Sequence, residues 1–374
     1  MDNTKESYTV NEIFGQPILW KKVFDMLILQ KDEIHQFLDP ILKINDLRII
    51  LTGAGSSAFI GEAAQSIIEL KTGKITQAIA TTDLTTEYKV FAITKKPILL
   101  VSIARSGNSP ESSEVFSLAE RFCTEVYHLI ITCDKSGHLA NCSTSNPNSF
   151  YKIILPVEAN DKSLAMTGSF TSMLICLLLL WETNGIENKE KEIDDMIWLG
   201  KEILKKAPLI KEICSEKFHR AVFLGSGPLL GIARECHLKL QELTNGQIIC
   251  KFDSFLGFRH GPMAVMNENT LMVYLFSNDN HTYKYERDLV KKISKDHRNI
   301  KSISVNNREG FDAINSFAIC ERTKNYSELA IVPFAIVGQL LGLYSSLRLD
   351  LNPDNPSTNG TINRIVQGVT IYNT

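Results

Sequence analysis

Two short segments of this chain offer many hydrogen-bond donors and little negative charge. Gly53-Ala54-Gly55-Ser56-Ser57 precedes a helical run from Ala58, and Arg105-Ser106-Gly107-Asn108-Ser109 precedes another near Pro110. Each follows an apolar run, and no carboxylate comes until Glu62 or Glu111. Backbone N–H groups at a helix N-terminus, hydroxyls and a scarcity of acids are what a phosphate monoester requires. Arg105 adds a cation. Serine caps and glycine turns explain either loop alone; the pair, in register on successive strands, favours phosphate. No Gly-Lys-Ser/Thr follows the first loop, GAGSSAFIG misses the dinucleotide spacing, and no clear ribose-binding acid ends the next strand. A small phosphorylated ligand therefore fits better than a nucleotide.

A second group of reactive residues lies in ARECHLKLQELTNG. Glu235, Lys239 and Glu242 fall at i, i+4 and i+7 and share one helix face, with Leu238 and Leu240 on others. The usual explanation of such spacing is a solvated charged stripe. The following segment, FDSFLGFRHGPMAVM, weakens it by setting Arg259-His260-Gly261-Pro262 in a turn among apolar residues. A histidine in such a turn is either a satisfied structural group or an acid–base group titrating near neutral pH. Spacing alone leaves both open.

The elements that must position these residues follow from periodicity. Arg48–Thr52, Ile98–Ala104 and 127–133 are rich in Ile, Leu and Val and end at Gly, Ser or Asp clusters, as strands buried on both faces of a parallel sheet do. The order recurs at 221–224, 270–276 and Lys301–Val305. An offset of 172 positions takes Gly53 and Gly55 to Gly225 and Gly227, and Leu99-Leu100-Val101 to Leu271-Met272-Val273. It also takes Ile131-Thr132 to Ile303-Ser304. The expectation is two copies of one α/β domain, at 48–190 and 208–347. The equivalent of the Ser106 loop in the second copy, Phe276-Ser277-Asn278-Asp279, is acidic and unsuited to phosphate. Residues 1–47 form a helical segment. The polar stretch 183–196 makes the inter-domain connection, and 197–207 continues as an amphipathic helix that Pro208 closes, giving a linker at 191–207. Residues 348–374 form a tail with too many Pro, Asn, Ser and Thr for a helix, although VQGVTIY could be a short strand.

Composition excludes other classes. The chain has 374 residues, 44% apolar and 22% charged, with a net charge of −2. That is a globular composition without the positive field of a non-specific nucleic-acid binder. MDNTKESYTV has no apolar signal-peptide core. The run 173–181 is too short to span a bilayer, and 329–344, interrupted by Pro333, Gly338, Gln339 and Gly342, reads as a buried helix. The eight cysteines form no CxxC pair, so they read as core residues in a reducing, cytoplasmic compartment, not as zinc ligands or disulfides. No metal or cofactor is expected.

Taken together, GAGSSAFIG, ARSGNSPES, ARECHLKLQELTNG and RHGP resemble the sugar isomerase (SIS) domain family, from about residue 48 to the end. The arrangement is similar to the isomerase half of glucosamine-6-phosphate synthase. It resembles more closely the galactosamine-6-phosphate deaminases, also named tagatose-6-phosphate ketose/aldose isomerases, whose tail LDLNPDNPSTNGTINRIVQGVTIY resembles. The resemblance implies two tandem flavodoxin-like SIS domains. It implies that Gly55, Ser56 and Ser57 form the first phosphate loop and Arg105, Ser106 and Ser109 the second. Ala104 stands where the synthase has a serine, which removes one phosphate donor. Glu242 would move a proton between C1 and C2, and His260, supplied by the partner subunit in the synthase, would open the ring. Lys239 would be a substrate-side lysine, Glu235 a supporting carboxylate, and Ala165 and Thr167 part of a loop approaching the sugar. Gln367 stands where the synthase has its Schiff-base lysine, a departure that counts against synthase-type chemistry. With 47 residues before the first SIS domain, no glutaminase domain is expected.

A 2-amino sugar phosphate carries its own nitrogen, so no enzyme lysine need form the imine. The expected activity is conversion of galactosamine 6-phosphate to tagatose 6-phosphate and ammonia. A plain aldose–ketose isomerase and a glucosamine-6-phosphate deaminase are the alternatives. A non-enzymatic sugar-phosphate sensor fits less well, because the first 47 residues carry no convincing basic helix-turn-helix and Glu242 and His260 are both retained. The partners expected are a phosphorylated sugar and a second copy of the chain, with neither nucleic acid nor membrane.

Overall fold

A computed structural model describes residues 7–93, 95–182, 185–296, 300–305, 327–357, 359–364 and 368–372. It opens with one long helix, α1 (Tyr8–Leu42). Asp354 caps its start: the carboxylate accepts from Tyr8 N at 3.0 Å, Thr9 N at 2.7 Å, Thr9 Oγ1 at 2.7 Å and Ser7 Oγ at 2.8 Å. These are bonds that the first helical amides cannot find within the helix. Pro17 lies inside α1 and cannot donate to the Ile13 carbonyl. Gln16 Nε2 donates to that oxygen instead, at 2.9 Å.

The contacts divide the chain into two units. The first holds Ile18–Asp161, Gly168–Lys191 and Ile362–Thr374, and the second holds Met1–Pro17, Lys162–Thr167 and Glu192–Thr361. The amino-terminal segment, one piece in the sequence reading, is thus shared between them at Pro17.

The first unit contains β1 (Arg48–Thr52), α2 (Ser56–Thr72), β2 (Ile75–Ala78), α3 (Thr81–Thr86), α4 (Lys89–Ile93) and β3 (Ile98–Ala104). It continues with α5 (Pro110–Phe122), β4 (Val126–Thr132), β5 (Phe150–Ile154) and α6 (Gly168–Leu179). The five strands are parallel in the order β2-β1-β3-β4-β5, the flavodoxin-like order. All of β3 is buried, and so is every residue of α6, which packs against α2.

The second unit contains α7 (Glu190–Lys205), α8 (Ala207–Ser215), β6 (Arg220–Gly225), α9 (Pro228–Leu243) and β7 (Ile249–Asp253). It continues with α10 (Phe255–Phe258), β8 (Thr270–Leu275), α11 (Asn280–Ile293), β9 (Lys301–Val305) and α12 (Ala335–Arg348). Its described strands are parallel in the order β7-β6-β8-β9. Gly55 (φ 55°, ψ −127°) and Gly227 (φ 55°, ψ −128°), related by the 172-residue offset, cap α2 and α9 in one conformation that only glycine adopts readily. The chain is an α/β protein of two parallel sheets flanked by helices, preceded by a helix.

Several local expectations change. Strands β2, β5 and β7 do not appear in the sequence reading. All three are edge strands with half-exposed side chains, so they lack the continuous apolar run of β3. The polar stretch from 190 is the first part of α7, and Pro208 does not close a helix but opens α8 at its first turn, where its missing N–H costs nothing. Helix α2 starts at Ser56 and not Ala58, which brings both serines into its first turn. Residues 368–372 form no strand.

Residues 328–348 are long and apolar enough to cross a membrane, but 89% of their most apolar 18-residue window is buried inside the protein. In the second unit α12 packs on α8 and α9, and two of its glycines admit α9. A Cβ at Gly338 would lie 2.4 Å from Cys236 Cα, and one at Gly342 would lie 2.8 Å from the Lys239 carbonyl oxygen. Gly342→Leu should therefore push α9 outward and destabilise the unit by about 1–3 kcal/mol. A urea midpoint equal to the parent's would show that the helices are not in this contact.

Candidate active site

One group of candidate residues, in the first unit, lies where its sheet changes direction. The chain leaves β1 for β2 on one side and reaches β3 on the other, and Thr52 pairs in register with Ser102. Ligands of open α/β sheets bind in the crevice at such a switch point, beyond the carboxyl ends of the strands. The loops after β1 and β3 both open there. Ser56 and Ser57 are buried in the first turn of α2, whose amides and dipole favour an anion. Gly53 is required by close approach, since a Cβ there would meet the Ile103 carbonyl oxygen at 2.8 Å.

The second loop is tightly held. Ser109 caps α5, accepting from Ser112 N at 3.3 Å, and Ser106 Oγ accepts from Asn108 N at 3.3 Å. The Arg105 carbonyl accepts from Cys133 N at 3.2 Å and Thr132 Oγ1 at 3.3 Å. The loop after β4 buttresses it, with Leu139 N donating to the Gly107 carbonyl at 3.1 Å and His138 N to Asn108 Oδ1 at 2.9 Å. Arg105 is buried, and its Nη2 donates to the Arg364 carbonyl in the tail at 2.7 Å.

A second group of candidate residues, in the second unit, is on α9. The reading of Glu235, Lys239 and Glu242 as a solvated stripe fails. Side-chain exposure is 0% for Glu235, 1% for Lys239 and 15% for Glu242. Lys239 Nζ lies 3.3 Å from Glu235 Oε1 and makes a close ion pair with Glu242 Oε1. Burial works to lower the Lys239 pKa, but the two carboxylates outweigh it and hold the ammonium above its ordinary value. Glu242 sits in the last turn of α9, ended by Asn245 (φ 49°) and Gly246 (φ 74°). The negative end of the helix dipole is unfavourable to a carboxylate there, and the Lys239 ammonium offsets it. Gln241 Oε1 accepts from Cys250 N at 3.2 Å and ties this helix end to β7. Of the three charged groups, Glu242 is the one that reaches solvent.

His260 is not set among apolar residues. It is exposed, on a turn whose base is buried. Ser254 caps α10, accepting from Gly257 N at 3.0 Å, while Phe255 and Phe258 anchor the turn in the core. Gly261, at φ 112°, lets the chain reverse after the histidine. Ala165 and Thr167 are buried in the second unit. Their loop is pinned by Glu12, which accepts from Lys162 N at 2.5 Å, and by the Asp354 carbonyl, which accepts from Leu164 N at 3.0 Å. Gln339 also holds it, accepting from Gln16 Nε2 at 2.7 Å and donating to the Thr167 carbonyl at 3.4 Å. Gln367 lies outside the described residues. Asp279, in the acidic counterpart of the Ser106 loop, caps α11 by accepting from Thr282 N at 2.8 Å. Among the described residues no three His, Cys, Asp or Glu side chains are grouped as a metal ion would require.

Sequence reasoning missed Asp161 and Arg364. Buried Asp161 accepts from Gly168 N at 3.1 Å and Ser169 N at 2.9 Å and so caps α6. Its carbonyl accepts from Arg364, more than two hundred positions away in the chain. A cap seven residues ahead of its helix and a lone arginine in a polar tail carry no periodic signal.

Known proteins resemble this chain over most of its length. The SIS domain model matches residues 42–182. D-galactosamine-6-phosphate deaminase AgaS of Shewanella sp. (strain ANA-3) is 37% identical over 98% of this chain and 92% of its own length. AgaS of Escherichia coli is 35% identical, over 98% and 96%. The crystal structure of tagatose-6-phosphate ketose/aldose isomerase from Escherichia coli superposes with a TM-score of 0.87 at 32% identity, covering 98% of this chain and 97% of that one. With such identity over almost its whole length, and with glycine-capped helices and serine loops at the carboxyl ends of parallel strands, the chain belongs to the AgaS family of SIS-domain proteins.

Proposed function

We propose that this protein converts D-galactosamine 6-phosphate and water to D-tagatose 6-phosphate and ammonia. The observation that carries the reading is the Glu235–Lys239–Glu242 cluster, with one solvent-reaching carboxylate on a buried ammonium, in a chain 35–37% identical to D-galactosamine-6-phosphate deaminases. The Ser56–Ser57 and Arg105–Ser109 loops hold the 6-phosphate. His260 gives a proton to the ring oxygen and opens the hemiacetal. Glu242 takes the C2 proton, leaving an enolamine, and returns it to C1. Lys239, as enclosed as Glu235, keeps the Glu242 carboxylate in place, and its positive charge acts on the developing oxyanion from behind that carboxylate. Water then adds to the C2 imine, ammonia leaves, and C2 becomes the ketone. The substrate's own nitrogen forms the imine, so the glutamine at 367 is no obstacle.

The exposure of His260 supports a role in a neighbouring copy's site, and we assign the working form as a cytoplasmic homodimer with shared sites. Full activity in a species that sediments as a monomer would contradict that. A plain ketose/aldose isomerase is the second reading, favoured by the name of the Escherichia coli structure. Amino- and keto-hexose 6-phosphates assayed for both ammonia and ketose separate the two. Ammonia and tagatose 6-phosphate in equal amounts from galactosamine 6-phosphate are expected; ketose formation from aldose phosphates without ammonia release would replace the first reading by the second.

Removing hydroxyls from both loops, Ser56→Ala with Ser106→Ala, should weaken substrate binding roughly 100-fold or more, because hydrogen bonds to a charged group contribute about 1.5–3 kcal/mol each. The change should fall mainly on KM. Unchanged affinity for the sugar phosphate would remove the phosphate assignment.

A further inference from the structure

Arg364 has no part in the chemistry above, yet its half-buried side chain and its carbonyl are both hydrogen-bonded within the first unit. Its Nε and Nη2 donate to the Asp161 carbonyl at 2.9 and 2.6 Å, and Nη2 also donates to Asn160 Oδ1 at 2.7 Å. Its own carbonyl accepts from Arg105 Nη2 at 2.7 Å. Asp161 in turn caps α6 through Gly168 N, Ser169 N and Ser169 Oγ. A continuous line of hydrogen bonds thus runs from the buried N-terminus of α6, through Asp161 and Arg364, to the guanidinium of the second serine loop. A planar guanidinium that grips two acceptors holds its own backbone firmly, so the carbonyl offered to Arg105 is fixed in direction.

We propose that Arg364 is a positioning residue for the sugar-phosphate site: by docking the tail on Asn160 and Asp161 it fixes the Arg105 guanidinium, and so sets affinity for the phosphate group. This rests on the phosphate reading of the two serine loops. Arg364 acts through Arg105, away from the reacting carbons, so its loss moves binding and not turnover.

The test compares full-length Arg364→Ala and Arg364→Lys with the parent, by steady-state kinetics on galactosamine 6-phosphate and by inhibition with inorganic phosphate. Arg364→Ala should raise KM about tenfold and weaken phosphate inhibition by the same factor, the loss of one charge-assisted contact, with kcat within about threefold. Arg364→Lys should recover part of the affinity, as a point charge without the fork. Unchanged KM and phosphate inhibition in Arg364→Ala, or a fall in kcat at constant KM, would overturn the proposal. If Arg364→Ala does not fold, Asn160→Ala removes one acceptor of the fork and should give a smaller shift of the same kind; parent-like KM there overturns the proposal equally. Loss of affinity in the Ser56→Ala/Ser106→Ala protein together with parent-like Arg364→Ala sinks only this proposal, whereas parent-like affinity in the serine variant sinks the phosphate reading beneath it.

Discussion

Glu242→Gln is expected to lower kcat by a factor on the order of 10² to 10⁴, the usual contribution of a positioned general base. The substitution preserves shape and leaves Lys239 a neutral oxygen to donate to, so KM should change little. The reason is positional. Glu235 is fully enclosed, while Glu242 keeps 15% of its side chain in solvent, so only the latter can meet a C2 proton. Incubation in deuterated water adds a second readout. The parent should place solvent deuterium at C1 of the ketose, because the carboxyl proton exchanges between the two half-steps, and the variant should lose turnover and exchange together. Parent-like turnover in Glu242→Gln would move the base elsewhere.

The second large effect is on stability. Lys239→Met keeps the volume of the side chain but removes the one ammonium seen between Glu235 and Glu242. Breaking a buried ion pair by deleting one partner costs about 3–5 kcal/mol, because the remaining charge stays desolvated. Glu235 would then be easier to protonate folded than unfolded. Its folded pKa would stand above its unfolded value near 4.3, and the variant's deficit should grow as pH rises from about 4.3 toward neutrality. In the parent the sign is set by the lysine. Its raised pKa gives a contribution present below 10.5 and lost as pH climbs through the folded value. Urea titrations at pH 5 and pH 8 check this. A deficit that is the same at both values would mean that Glu235 is not the stranded charge, and Glu235→Gln in the Lys239→Met background should restore much of the loss.

The central strands were legible in the sequence because each is buried on both faces and has no polar face to interrupt its apolar run, as in Ile98–Ala104. The edge strands Ile75–Ala78, Phe150–Ile154 and Ile249–Asp253 were not, since half of their side chains answer to solvent. The two Gly/Ser segments were legible as helix-opening loops, because serine caps and glycine turns mark where a strand gives way to a helix. The α9 cluster was legible as a spacing but not as an environment. Glu235 and Lys239 look like any i,i+4 surface pair until the packing around α9, with Gly338 and Gly342 admitting α12, removes the water from them.

By itself, the sequence determined the parallel α/β architecture, the pair of anion-suited loops and the list of groups able to move protons, because these depend on residue type and on spacing along a few turns or one strand. Only the tertiary structure decided that Lys239 is locked between two carboxylates, that His260 stands exposed, that Asp354 caps the first helix, and that Arg364 reaches Arg105 from 259 positions away. Burial and long-range hydrogen bonds depend on which surfaces meet, and that is settled by the summed packing of the fold, not by any local run of residues.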